Sequence, residues 1–139
     1  MSTKSRSPRG ELVLRTLAMP ADTNANGDIF GGWIMSQMDI GGAILAKEIA
    51  QGRVVTVAVD AITFLKPVSV GDVVCCYAHC ARTGKSSMTV NMEIWVKKVS
   101  SEPIGQRYCV TEAVFTYVAV TDDGRSRSLP EGKRNYTAE

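Results

Sequence analysis

One long helical stretch followed only by strand-like segments constrains this chain more than any other feature. Between Gly31 and Ala50, Ile34, Met38, Gly41, Leu45 and Ile49 recur at i, i+4, i+7, i+11 and i+15, and Met35 and Gly42 widen the stripe. That spacing lines one face of an α-helix about 30 Å long. Ile40 and Ile44 fall on the opposite side, and a helix that is apolar on two sides needs cover on two sides. Gly41 and Gly42 each cost about 1 kcal/mol relative to alanine in a helix interior. Close approach of a strand, or of a second copy of the chain, would offset that cost.

The remainder alternates with a period of two. Val54–Phe64, Val73–Thr83, Ser86–Val99 and Gln106–Val120 are predicted strands, and Glu11–Ala18 is a shorter one stopped by Pro20. In Ser86–Val99 the pattern is clearest: Met88, Val90, Met92, Ile94 and Val96 face one way, and Thr89, Asn91, Glu93, Trp95 and Lys97 the other. Strands this long must curl, and a single helix must cover them. The expected class is α+β, a long central helix wrapped by a curved five-stranded antiparallel sheet. Trp95, Tyr108, Val114 and Tyr117 cannot all face the helix, so an apolar patch is expected on the outer sheet face. It implies a homo-oligomer, most simply a two-fold dimer that extends the sheet.

Composition narrows the classes further. A chain of 139 residues is one domain's worth, and 45% hydrophobic with 22% charged residues is globular rather than disordered. The expected organisation is a flexible arm over 1–9, a folded domain over 10–124 and a mobile polar tail over 125–139. A net charge of +2 gives no nucleic-acid footprint. Ser36, Gln37 and Asp39 interrupt the best apolar run, so no run of about 18 apolar residues exists for a membrane span. The first nine residues carry no apolar segment of a secretory signal. The expected compartment is therefore cytoplasmic. Cys75, Cys76, Cys80 and Cys109 form no CxxC pair and read as reduced, buried small apolar residues. No metal site is expected.

Three places can carry chemistry. Asp39 lies about 95° from the centre of the helix stripe, on its shoulder. Its neighbours one turn away are Met35, Gly42 and Ala43, with no Lys or Arg to pair it. That setting suits a general base or a nucleophile; the period alone fits an ordinary solvated helix aspartate equally well. Gly31 and Gly32 open the helix, where free N–H groups and the macrodipole favour developing negative charge. Asn24 and Asn26 in the preceding loop can add a side-chain amide; a plain N-terminal glycine turn also fits. Arg82-Thr-Gly-Lys-Ser-Ser-Met88 is a hairpin whose Lys85 and hydroxyls can hold a phosphate, or simply turn the chain. His79, the only histidine, is expected mid-strand and structural.

Asp22-Thr-Asn-Ala-Asn-Gly-Asp-Ile-Phe-Gly-Gly-Trp-Ile-Met-Ser-Gln-Met-Asp39 resembles the acyl-CoA thioesterases of the hotdog fold, most of all their short bacterial YciA type. Arg53-Val-Val-Thr-Val-Ala-Val59, Phe64-Leu-Lys-Pro67 and Val70-Gly-Asp72 look like the family's next blocks. The likeness runs from about Leu12 to Val120. It implies hydrolysis of acyl-CoA to a free acid and CoA, without cofactor or metal. It implies a dimer as catalytic unit, assembled into a trimer of dimers. Asp39 matches the family's catalytic carboxylate and Asn24 its loop asparagine, the two meeting from different subunits. CoA contacts fall on Val57, Ala58 and Val59 and on Ser86, Ser87 and Met88. Arg53 and Lys85 are added as phosphate contacts on charge grounds. A non-catalytic CoA or acyl-carrier binding module on the same fold is the alternative. A hotdog dehydratase needs an active-site histidine, for which His79 is poorly placed.

Overall fold

The computed structural model describes residues 6–138. The first five residues of the expected arm and Glu139 lie outside them. The elements are β1 (Glu11–Leu17), a 3₁₀ turn (Pro20–Asp22), α1 (Gly31–Ala50), β2 (Val54–Phe64), β3 (Val73–Thr83), β4 (Ser87–Lys97) and β5 (Arg107–Ala119). The five strands form one antiparallel sheet in the order β1-β3-β4-β5-β2. The long helix and the four long strands lie where periodicity places them. β4 and β5 end one or two residues earlier than the alternation suggests. After β4 the chain turns, as Lys98 N donates to Gln106 O and Gly105 N to Lys98 O.

The sheet wraps α1 with its inner face. Met88, Val90, Met92, Ile94 and Val96 of β4 are buried against Ile34, Met38 and Ala46. The two helix glycines mark where strands come closest. A Cβ on Gly41 would lie 2.8 Å from Cys76 Sγ and 2.9 Å from Val13 Cγ2, and one on Gly42 would fall on the Tyr117 hydroxyl. Strands, not a second copy, therefore explain both glycines. Beyond the helix, Gln51 takes a left-handed conformation (φ 54°) and donates its N–H to Lys47 O, which ends the helix.

Two expectations are corrected here. Tyr117 faces inward and is fully buried, while Trp95 faces outward yet is only 4% exposed. Trp95 packs with Cys75 and Cys109, and the Arg6 guanidinium lies 5.7 Å from its ring. The outer face is thus no bare apolar patch. The apolar surface sits elsewhere, on Val57 of β2 (54% exposed), Ile40 of α1 (51%) and Phe64 (50%). The second correction concerns the C-terminal residues, expected to form a mobile tail. Leu129 is fully buried in the core. Arg127 Nη1 donates to Ala50 O at the end of the helix, 3.1 Å. Thr137 bridges Arg82, adding a short strand to β3. One buried leucine and these carbonyl partners hold a segment whose composition reads as polar. The described part of the arm is also pinned, with Arg6 reaching Glu93 and Glu112 and Arg9 N donating to Glu93.

The cysteines behave as small core residues. Cys75, Cys76 and Cys109 are buried, Cys80 is partly so, and all four are free thiols. Burial pushes Cys76 up to about 12 and Cys109 up to about 11.

Candidate active site

Asp39 sits in the third turn of α1, half-buried, on the side of the helix nearest β2 and β5. Thr56 of β2 and Tyr117 of β5 are cross-strand partners, and both hydroxyls reach it. Thr56 Oγ1 donates to Asp39 Oδ1 at 2.6 Å. The Tyr117 hydroxyl lies 2.9 Å from the Asp39 carbonyl oxygen and 3.3 Å from Oδ1. Burial first, and then the Asp39 charge, push the Tyr117 hydroxyl pKa well up, so it stays a protonated donor. The expected apolar setting of Asp39 is therefore incomplete: two hydroxyls hold the carboxylate. β2 bulges between Thr56 and Ala58, which puts Val57, the residue after Thr56, outside the ladder on an edge strand.

The loop before the helix closes on Asn24. Its backbone N–H donates to Asp28 O (2.7 Å), and its Oδ1 accepts from Asn26 N (2.9 Å) and Asp28 N (3.1 Å). Gly27, at φ +84°, supplies the turn residue this tight loop needs. The Asn24 carbonyl oxygen is engaged by the loop, so its side chain offers the exposed surface its amide N–H groups. Asn26 serves the turn through its backbone. Phe30 precedes the helix without a side-chain cap, leaving the first helical amides at Gly31 and Gly32 to other acceptors. Gly31 sits close under Phe64: a Cβ there would lie 3.1 Å from the Phe64 ring. Asn24, Gly31, Ile34 and Phe64 help line a groove of about 410 Å³.

These two sets do not meet within one protomer. Asp39 is eight residues along the helix from Gly31, about 12 Å at the helical rise. One end of the helix offers N–H donors and the Asn24 amide; its middle offers a carboxylate beside exposed β2.

The residues expected against CoA fall into two groups. Val57 is exposed, and Ala58 and Val59 are half-buried. Arg53 and Ser86 flank the end of β5, where Val120 N donates to Arg53 O and Ala119 N to Ser86 O. Part of the Arg53 guanidinium is engaged, with Nη1 donating to Asp122 O at 2.6 Å. Lys85 and Ser86 share a small pocket with Ser126, Arg127 and Ser128. Ser87 is half-buried at the start of β4. Met88 is fully buried in the core and offers no side-chain surface to a ligand. It occupies an inward position of the same alternation that places it in the helix-facing row. His79 lies near Arg9 Nη2 (3.3 Å).

Sequence reasoning missed Thr56, Tyr117 and the 126–128 segment. Thr56 was legible only as a strand residue inside a recognised block. Tyr117 is one of four residues that the alternation leaves undivided between the two sheet faces. The lone Leu129 in a polar stretch was the available signal for the C-terminal contacts.

Comparisons with known proteins agree with this fold. The model of the thioesterase superfamily matches residues 26–101. The acyl-CoA thioester hydrolase YciA of Salmonella typhimurium is 73% identical over 130 residues, covering 94% of this chain and 98% of that protein. The hexameric thioesterase y2039 of Yersinia pestis superposes with a TM-score of 0.87 at 81% identity, over 90% of this chain and 100% of that one. HI0827, a hexameric broad specificity acyl-coenzyme A thioesterase, superposes with a TM-score of 0.88 at 70% identity, over 93% and 87% of the two chains.

Proposed function

Since the chain belongs to the thioesterase superfamily, on the hotdog fold, we propose that it hydrolyses acyl-CoA thioesters, over a broad range of acyl chains, to a carboxylic acid and CoA. The observation that carries this reading is the Asp39 carboxylate, held by two hydroxyls beside an exposed strand edge. CoA enters as substrate and leaves as product, and the reaction as read uses no cofactor or metal. Acyl-CoA chemistry and four free thiols suit the cytoplasm.

The reading needs a second copy of the chain. Val57 of β2 and Ile40 and Ile44 of α1, the two elements joined at Asp39 by Thr56, are exposed, and pairing of β2 with β2 of a partner would cover them. The partner then brings its helix start and Asn24 to this Asp39, closing a gap of about 12 Å that one protomer cannot close. Such pairs would build hexamers as trimers of dimers.

The thioester carbonyl oxygen points at the amides of Gly31 and Gly32 and at the Asn24 amide, which stabilise the oxyanion. Asp39 of the other copy takes a proton from water, the oxygen attacks the carbonyl carbon, and the CoA thiolate leaves and is protonated. Direct attack by Asp39, followed by hydrolysis of the mixed anhydride, uses the same groups. Label in Asp39 after a single turnover in ¹⁸O-water identifies direct attack, with water opening the anhydride at the aspartyl carbon. Arg53, Lys85, Ser86 and Ser87 lie toward the sheet end, where they can hold CoA phosphates.

A thiol-release assay tests the reading. Asp39→Asn should lower kcat by about 10³-fold or more, with CoA binding retained. Near-normal turnover in that variant would remove Asp39 from the reaction. CoA binding without turnover in the wild type would favour the non-catalytic binding module.

A further inference from the structure

The two hydroxyls beside Asp39 are not placed equally. Thr56 donates to Oδ1, and the Tyr117 hydroxyl is also within reach of Oδ1. Among the described residues no hydrogen bond reaches Oδ2. Tyr117 arrives from the core side: its ring is fully buried and stacks on Phe115, with centroids 6.2 Å apart. Its hydroxyl fits under the helix only because position 42 has no side chain. Its one proton is shared between the Asp39 carbonyl, at 2.9 Å, and Oδ1, at 3.3 Å.

We propose that Tyr117, admitted through the gap at Gly42, is a positioning residue: with Thr56 it pins Oδ1 of Asp39, so that Oδ2 is the oxygen presented to water or substrate. A carboxylate that rotates freely offers either oxygen in a spread of directions. One whose Oδ1 is held from two strands is fixed in rotamer before substrate arrives. Gly42 is thereby part of the site, although it touches no substrate. The inference rests on Asp39 being the reactive group.

The groups packed round this carboxylate leave Tyr117 as a clear pH probe. β2 contributes Thr56 and β5 Tyr117. Met92 of β4 lies over Gly42, and Cys76 of β3 lies close to Tyr117 and over Gly41. Within one turn of α1 stand Met35, Gly42 and Ala43, none of them charged.

The test is steady-state hydrolysis of a short-chain acyl-CoA across pH by wild type, Tyr117→Phe and Asp39→Asn oligomers. Tyr117→Phe keeps the stacked ring and removes one donor. The expected result is a kcat about tenfold lower with KM within about twofold. The acid limb of kcat/KM should move to higher pH, because the charged form of the carboxylate loses a hydrogen bond. Gly42→Ala, which displaces the same hydroxyl, should move the limb in the same direction. A fluorinated tyrosine introduced at position 117, a stronger donor in an unchanged shape, should move it to lower pH, and it serves as the test if either variant fails to fold. Wild-type kcat and an unmoved acid limb in Tyr117→Phe, with Asp39→Asn inactive, would overturn the proposal alone. A fully active Asp39→Asn would overturn both the proposal and the catalytic reading beneath it.

Discussion

The two edges of the sheet are finished in different ways. β1 is short, carries Glu11 and Arg15, and has a register shift between Leu12 and Leu14. Its far end is tied down, with Ala18 N donating to Asp72 O. Past Ala78, where β1 stops, the C-terminal residues take over the edge of β3: Thr83 N donates to Tyr136 O and Ala138 N to Ala81 O, both at 2.8 Å. β2 has eleven residues, exposed Val55 and Val57, and no charge before Asp60. Charge, shortness and cover are the usual ways of blunting an edge strand. The chain applies them on one side and omits them on the other, and the proposed catalytic carboxylate lies on the side where they are missing. In the proposed dimer, the partner's β2 takes this open edge beside Asp39.

A charge added to each edge should act most strongly at β2. Val57→Lys should reduce the light-scattering mass to half that of the wild-type oligomer or less and lower hydrolysis by about 10²-fold or more, since binding cannot position substrate on half a site. A full-mass, active Val57→Lys would mean that β2 is not the interface. On the covered side the expected effects are on stability. Leu129→Ala should cost about 3 kcal/mol in urea unfolding at fixed protein concentration, as for other buried leucines. A change below about 0.5 kcal/mol would return residues 125–138 to the status of a loose tail.

The Lys98–Asp72 pair near the tied end of β1 gives a smaller, pH-dependent effect. Lys98 Nζ lies 3.0 Å from Asp72 Oδ1, and Asp72 Oδ2 accepts Ser69 N at 2.9 Å. Burial works against the Lys98 ammonium, but Asp72 and Tyr108 outweigh it and hold its pKa above the ordinary 10.5. The stability linked to that shift is complete below the ordinary value and lost as pH rises through the raised one. Lys98→Met should cost about 2 kcal/mol, somewhat less than breaking a fully buried pair. That deficit should be constant from pH 6 to 9 and shrink only in strong alkali; a deficit varying within the neutral range would assign it elsewhere. Leu12→Lys on β1 should be the mildest change, within about 0.5 kcal/mol and with mass and kcat unaltered.

Periodicity made the helix and the strands legible because both patterns are local. It could not decide which aromatic residues of β5 turn inward, because that depends on a gap in another element: Tyr117 goes in where Gly42 lets it. The same non-local fact hid the Tyr117–Asp39 contact. Thr56 was hidden because a strand threonine reads the same whether its hydroxyl meets water or a carboxylate. Asp39 itself could be singled out from the shoulder of the helix stripe, and Asn24 from the family likeness. The C-terminal strap was misread since fourteen mostly polar residues look solvated until Leu129 is given somewhere to go.

In the proposed dimer one copy's Asp39 works with another copy's Asn24 and helix start. Inactive oligomers of Asp39→Asn and of Asn24→Ala, unfolded together and refolded as an equal mixture, test it most directly. In a mixed two-fold pair, one of the two sites receives both intact groups, so random assortment should restore about a quarter of wild-type hydrolysis. A mixture that stays as inactive as its parents would contradict a shared site and put the whole reaction within a single chain.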